Sequence, residues 1–336
     1  MKKKGIFIAA VAFFVLAAVV ISDFFYSHNT SADFLAMNTT VSLDVTGFHS
    51  KEAVERIKSE IIRLDEKLLS RTKHTAEIYS VNNGKTEISD ELKGILEYLK
   101  QLEKDSGGAF CTGIAQLTDL WGIGTENKQL PDKEEISAAI KNHEKWQIND
   151  NNVILPENVK LDLGAVGKGT ACDYAKDILS AHKCKEAVVA VGGSVLLYGS
   201  EKYQVGIRNP LGEVNEYCAI IEAAQGCIST SGNYERYFED ENGNRYHHIF
   251  DPSTGYPADS GLLSVTVIAE SGTASDALST ACFVLGIEKS LALFEKYNAD
   301  AVFITTDKEI ITTFGEFESE TITVTNNNYS LGDINE

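Results

Sequence analysis

The sequence predicts a protein that mixes helices and strands behind an N-terminal export segment, and three observations carry that reading. The 336-residue chain is 43% hydrophobic with only five prolines, enough apolar material for one large or two ordinary domains. Apolar residues recur at helical spacing in the first half and in short alternating or continuous runs in the second. Ahead of both, a lysine cluster precedes a long uncharged stretch.

That stretch comes first in the chain. Met1-Lys2-Lys3-Lys4 leads into the uncharged residues 5–22, closed by Asp23. The run is long for a signal-peptide core and just long enough to span a bilayer. Neither a small-x-small cleavage site nor an acylatable cysteine follows it. An uncleaved membrane anchor is favoured over a cleaved signal peptide, and the basic start places the remainder outside the cytoplasm. Residues 1–33 are therefore read as signal or anchor plus linker, 34–320 as the folded domain, and 321–336 as a polar tail frayed from Asn326.

Within the domain, residues 34–45 read as one strand. Ser50 caps a helix with Val54, Ile57, Ile61, Leu64 and Leu68 on one face, and a polar loop spans 70–83. Ser89 opens a second helix that buries Leu92, Ile95, Leu96, Leu99 and Leu102 and stops at Gly107-Gly108. Trp121 suits a core position better than a stacking platform. A charged helix covers 132–143, and a strand covers 152–155. The second half is β-rich, with runs at 187–191, 195–198, 203–208, 217–223 and 226–230, a turn at Ser231-Gly232 and a hairpin at Glu241-Asn242-Gly243-Asn244. A strand at 262–269, helices from Thr273 and at 287–297, and strands at 300–305 and 309–314 complete it.

The chemistry centres on residues 159–175. A short apolar strand bearing Asp162 runs into a glycine turn and then an amphipathic helix, with glycines at 164, 167 and 169 and Lys168 among them. Glycines admit a ligand close to the backbone, and a helix N-terminus favours an anion, so the stretch suits a phosphate or pyrophosphate. It is neither of two common phosphate loops: a Walker A motif needs four residues before Gly-Lys, and a dinucleotide fingerprint needs the order G-x-G-x-x-G. The formal charge of −19 argues against nucleic acid as a partner, and leaves an anionic ligand to a metal or local lysines.

Further candidates lie downstream. His247 and His248 are adjacent on a strand and point to opposite faces, so at most one serves a given site. His248 near Asp251 forms a plausible acid–base pair. Asp276 and Thr280, four apart on one helix face, offer two hard oxygens to Mg²⁺. Thr273 and Asp276 equally fit a Thr-x-x-Asp helix cap, which spacing alone favours. Cysteines at 111, 172, 184, 218, 227 and 282 have no C-x-x-C spacing, and either disulfides or buried free thiols suit them.

Taken together, Asp162-Leu163-Gly164-Ala165-Val166-Gly167-Lys168-Gly169, Val191-Gly192-Gly193, residues 228–238, the His248–Pro257 stretch and Ser264–Ala269 followed by Asp276-Ala277-Leu278-Ser279-Thr280 closely resemble, in order, the motifs of the ApbE family of FAD:protein FMN transferases. The resemblance covers about residues 37–317. It implies an α+β fold of mixed β-sheets flanked by helices. It also implies an enzyme outside the cytoplasm that binds FAD and Mg²⁺, moves FMN onto a Thr or Ser hydroxyl of an acceptor protein and releases AMP. Carried over by position, Met37, Ala109, Phe110, Cys111, Asp162, Lys168 and Phe250 contact FAD. Asp276, Thr280 and Ser279 hold Mg²⁺ with the Ala165 carbonyl, and His248, with Asp251, serves the reacting phosphate.

Three positions depart from the family pattern: Asn38 replaces a glycine between Met37 and Thr39, Thr72 stands where an aromatic is common, and Cys111 replaces an acid. They touch the flavin pocket more than the phosphate chemistry. Two rival activities share the motifs: a Mg²⁺-dependent FAD pyrophosphatase releasing FMN and AMP, and a non-enzymatic flavin-binding protein.

Overall fold

The computed structural model describes residues 28–314 and 321–334; the anchor expected at residues 5–22 lies outside them. Among the described residues no helix is long and apolar enough to cross a membrane. The described residues begin with a hairpin, β1 (Asn29–Ala36) and β2 (Thr39–Thr46), where sequence suggested one strand. Met37 and Asn38 both take the left-handed conformation, with φ of 52° and 57°, and two successive left-handed residues make the tight turn whose twist suits a hairpin. The strand includes residues 29–33, assigned by sequence to the linker.

Helix α1 (Ser50–Arg63) runs into a π-helical turn at Leu64–Leu69 and buries the predicted stripe of Val54, Ile57, Ile61, Leu64 and Leu68. The polar stretch beyond it contains a short helix, α2 (Glu77–Asn82), anchored by buried Ile78 and Val81. Helix α3 (Asp90–Asp105) starts where Ser89 accepts a hydrogen bond from the Leu92 amide, and Gly107 and Gly108 stop it in left-handed conformations. Helix α4 (Ala115–Trp121) follows, then α5 (Lys133–Ala139), opened by a reciprocal Asp132–Glu135 capping box. The hairpin β3 (Gln147–Asn149) and β4 (Asn152–Ile154) leads to the glycine stretch.

The expected strand at 159–163 pairs with no sheet. It runs as irregular chain held by the Thr112 carbonyl, which accepts from the Asp162 amide, and by Asn82, whose side chain bonds both the Leu161 amide and carbonyl. Helix α6 (Gly167–Ala181) follows. Strands β5 (Glu186–Val191), β6 (Ser194–Tyr198), β7 (Tyr203–Arg208), β8 (Tyr217–Ala223) and β9 (Gly226–Gly232) come next, so Ser231-Gly232 belongs to a strand and makes no turn. The hairpin β10 (Tyr237–Glu239) and β11 (Arg245–His247), the fully buried β12 (Leu262–Ala269), helices α7 (Gly272–Leu285) and α8 (Ile287–Tyr297), and strands β13 (Asp300–Thr305) to β14 (Glu309–Thr312) complete the domain.

The described C-terminal residues, 321–334, are not frayed. Strand β15 (Thr321–Val324) pairs with β8, and β16 (Ser330–Leu331) pairs with β14. Tyr329 is buried and donates to the Asn209 side-chain oxygen at 2.6 Å, an anchor invisible to a polarity count.

A nine-stranded sheet in the order β1-β2-β5-β6-β9-β12-β13-β14-β16 forms the centre, antiparallel except for β14 beside β16. Helices α6 and α7 cover one face. On the other, Leu197, Ile228, Ile268, Val302 and Ile304 pack against Ile207, Ala219 and Ile221 of the three-stranded sheet β15-β8-β7. A third cluster gathers Trp121 with Phe238, Tyr246, Phe250 and Tyr256. There the Trp121 indole donates to the Gly255 carbonyl at 2.9 Å, so the tryptophan is a core residue. All six cysteines are buried free thiols.

Helices α6 and α7 meet at Gly169 and Gly272. A Cβ on Gly169 would collide with the Gly272 carbonyl, and one on Gly272 with the Gly169 carbonyl. Backbone cannot swing aside as a side chain can, so the substitution Gly169→Ala forces the helices apart. We expect it to cost about 3 kcal/mol, the upper part of the overpacking range. A denaturant-unfolding midpoint equal to wild type would show that the crossing is looser than this.

Candidate functional site

The helix crossing gathers several of the candidate residues. Asp276 lies in the second turn of α7, 3% exposed. Its carboxylate does not cap its own helix: Ser271 does so, accepting from the Ala274 amide, and Thr273 turns its hydroxyl to Asp173 and Thr170. Asp276 Oδ2 instead accepts from the Gly169 amide of α6 at 2.9 Å and from Lys168 Nζ at 3.3 Å. The Thr-x-x-Asp spacing that favoured a local cap is overruled by a partner more than a hundred residues away in sequence.

One turn further along α7, the Ser279 hydroxyl bonds back to the Asp276 carbonyl at 2.8 Å, and Thr280 Oγ1 lies 3.5 Å from the same oxygen. Both hydroxyls meet Ser231 of β9, at 2.8 and 3.2 Å. Sequence reading passed over Ser231 as a turn residue; the alternation of Ser229, Thr230 and Ser231 along a strand was the available signal, since it sends Ser229 and Ser231 to the helix side together.

The donor set suits a hard cation. Both hydrogen bonds to Asp276 fall on Oδ2, and hydroxyls stand one turn away. Lys168 is a cation already seated beside the carboxylate. Among the described residues no three His, Cys, Asp or Glu side chains cluster; the donors gathered here are one carboxylate and hydroxyls, hard oxygens of the kind that Mg²⁺ prefers.

The glycine loop lies alongside. Asp162 Oδ1 accepts from the Gly164 amide at 2.9 Å, and Oδ2 pairs with Arg71 Nε at 2.9 Å. Arg71 also pairs with Asp119 at 2.6 Å, and it is a site neighbour that sequence reading placed in an undistinguished loop. Lys168 Nζ lies 3.5 Å from the Gly164 carbonyl, and Ala165 sits half-buried between them.

His247 and His248 do face apart. His247 is buried, bonded through Nε2 to the Ala258 carbonyl and through Nδ1 to the Ile249 amide, with its ring edge-on to Phe283 of α7. His248 is half-buried, with Nδ1 3.3 Å from the Arg236 carbonyl. That acceptor draws the proton to Nδ1 and leaves Nε2 as a base. Burial pushes its pKa down to about 4, with the Arg236 charge next and the Lys168 charge contributing too, so the ring is neutral at pH 7. The expected His248–Asp251 pair does not form. Asp251 Oδ1 accepts from the Ser253 amide and hydroxyl, at 2.8 and 2.7 Å, because the Asp-Pro-Ser-Thr-Gly sequence folds into a turn that uses the carboxylate locally.

The remaining predicted residues line other parts of the fold. The Met37 amide donates to Asp65 at 2.8 Å, and Lys73 pairs with the same oxygen, which pins the hairpin turn to the end of the α1 segment. Ala109, Phe110 and Cys111 are buried, and the Phe110 amide is held by Ser106. Phe250 is 4% exposed within the aromatic cluster around Trp121. Thr72 is exposed.

The chain is similar to proteins of known kind. A FAD:protein FMN transferase of Treponema pallidum is 36% identical over 246 residues, spanning 66% of this chain and 68% of that protein. One from Klebsiella pneumoniae is 30% identical over 278 residues, 78% of this chain and 85% of its own length. The crystal structure of the ApbE protein of Thermotoga maritima superposes with a TM-score of 0.77 at 31% identity, covering 83% of this chain and 94% of that one. The flavinyl transferase ApbE of Pseudomonas stutzeri gives 0.72 at 26% identity, covering 88% and 94%. The ApbE family profile matches residues 37–303, and the chain belongs to the ApbE family.

Proposed function

We propose that this protein is an FAD:protein FMN transferase that moves FMN from FAD to a Thr or Ser hydroxyl of an acceptor protein and releases AMP. The observation that carries the reading is the gathering of Lys168, Asp276, Ser279 and Thr280 at one helix crossing, in a chain whose relatives bear that enzyme name.

Asp276, Thr280, Ser279 and the Ala165 carbonyl are the residues that would hold Mg²⁺. When bound, the ion neutralises the pyrophosphate and stabilises charge on it during transfer. Lys168 presents its ammonium to the same anion. Asp162, tied to Arg71 and the Gly164 amide, holds the glycine loop in shape for FAD. Phe110 and Phe250 are committed to packing, so segment 109–111 and residue 250 meet FAD through backbone and ring edges, and Met37 does so from its pinned turn. His248 Nε2 takes the proton of the acceptor hydroxyl as that oxygen bonds to the FMN phosphorus and the bond to the AMP phosphate breaks. Asp251 shapes the turn beyond His248. The lysine cluster and apolar run of residues 1–22 support a catalytic domain outside the cytoplasm, held at the membrane.

Incubation with FAD, Mg²⁺ and an acceptor domain tests the reading by intact mass and by chromatography of the nucleotides. Covalent FMN on the acceptor with matching AMP is the expected result. AMP with only free FMN would instead indicate a pyrophosphatase, and unchanged FAD a binding protein. Asp276→Ala should abolish Mg²⁺-dependent turnover while circular dichroism stays native; retained turnover would remove Asp276 from the metal site.

His248→Ala should lower kcat by about a hundredfold to ten-thousandfold, the span of general-base catalysis. Because a protonated ring accepts nothing, the rate falls as pH drops through the His248 pKa. We expect kcat/KM to stay level from pH 7 to 5 and to fall near 4. Arg236→Gln removes a charge that opposes protonation, so its acid limb should move toward neutral pH. Superimposable limbs in the two proteins would mean that another group is the base.

A further inference from the structure

Two five-residue stretches nearly repeat: Gly169-Thr170-Ala171-Cys172-Asp173 and Gly272-Thr273-Ala274-Ser275-Asp276. Each lies at the start of a helix, α6 and α7, and each sets its glycine and aspartate on one helix face. They meet with approximate two-fold symmetry. The Gly169 amide donates to Asp276 Oδ2 at 2.9 Å, and the Gly272 amide donates to Asp173 Oδ1 at 2.6 Å. The hydroxyls of Thr170 and Thr273 meet at 3.0 Å. Each glycine packs so closely on the other's carbonyl that no side chain fits.

The two aspartates differ in what else they hold. Asp276 keeps both hydrogen bonds on Oδ2, beside Lys168. Asp173 is fully engaged. Besides the Gly272 amide it accepts from the Thr273 amide at 2.8 Å, the Thr273 hydroxyl at 2.7 Å and the Ser271 hydroxyl at 3.0 Å. Its partners are the first residues of α7, so the helix can neither slide nor rotate against α6 without breaking them. Asp276 stands one turn beyond those bonds and Thr280 two.

We propose that Asp173 is a positioning residue for the cation-holding face. By clamping the start of α7 it sets where Asp276, Ser279 and Thr280 present their oxygens relative to Lys168 and the glycine loop. This inference rests on the Mg²⁺ reading of that face. Partners that orient a metal ligand without touching the ion typically set its affinity by ten- to a hundredfold, and Asp173 acts here through four bonds to one helix end.

The test titrates Mn²⁺, as an electron-paramagnetic probe of the Mg²⁺ site, onto the full-length protein without FAD. Asp173→Asn keeps one acceptor oxygen and the side-chain volume but turns a donor toward amides that already donate. We expect its Mn²⁺ Kd to rise about tenfold or more. Asp105→Asn serves as the control: Asp105 accepts from Tyr297 at 2.8 Å and pairs with Lys296, and its loss should lower Tm while leaving the Mn²⁺ Kd unchanged. A folded Asp173→Asn protein with lower Tm and wild-type Kd would reduce Asp173 to a helix cap and overturn the proposal. If that variant does not fold, Thr273→Val, which removes one of the four donors, should weaken Mn²⁺ about threefold, and no change there overturns the proposal equally. Wild-type protein that binds no Mn²⁺ would overturn the Mg²⁺ reading itself, a separate result.

Discussion

Two helices that each cap the other are the constraint on which the rest of this structure depends. The amides at a helix start lack partners within their own helix and must find acceptors elsewhere. Here the Gly169 amide finds Asp276 and the Gly272 amide finds Asp173, each on the opposing helix. Glycine at both crossing points is what lets the backbones come near enough for that exchange. Because α6 and α7 also cover one face of the central sheet, the bonds that position the sheet's cover position the oxygens of Asp276, Ser279 and Thr280 as well.

The electrostatics follow from the same geometry. The protein has many acids in excess, yet the site concentrates cations: Lys168 on Asp276, Arg71 on Asp162 and Arg236 beside His248. Burial keeps the His248 imidazole neutral at neutral pH, and the nearby Arg236 and Lys168 charges add to that effect. The cations that suit the site to an anion thus also favour a neutral His248.

Local rules read the chain well where local forces decide. The Ser89 cap, the Gly107-Gly108 stop, the Glu241–Asn244 hairpin and the buried strand at 262–269 all stand as spacing predicted. The motifs of the loop and of α7 were also legible, through resemblance to a family. What escaped were choices made by distant partners. Thr273 and Asp276 spell a helix cap, but the carboxylate went to Gly169, and no window along the chain contains both. Met37-Asn38 read as mid-strand because Met is not a usual left-handed residue, although Asn38 is, and the turn is held by Asp65 from beyond it. Tyr329 sits in a polar tail, and only the opposite sheet explains its burial. The repeated Gly-Thr-Ala-x-Asp was in plain view, but a repeat of five residues acquires meaning only when the two copies touch.

The central sheet has one more consequence. Strand β2 lies beside β5, with Val45 opposite Ala187, so everything between them is a single excursion from one sheet edge. The glycine loop and all of α6 belong to that excursion, while α7 and the second aspartate come later still. Pairings so distant in sequence must meet the entropy of closing a long loop before they yield any contact energy. A growing chain therefore cannot join β2 to β5 until the whole excursion, through Val191, has emerged. The crossing of α6 and α7 needs the chain through the start of α7 at Gly272, so the two aspartates and their glycines meet late in synthesis, after most of the strands that the helices cover.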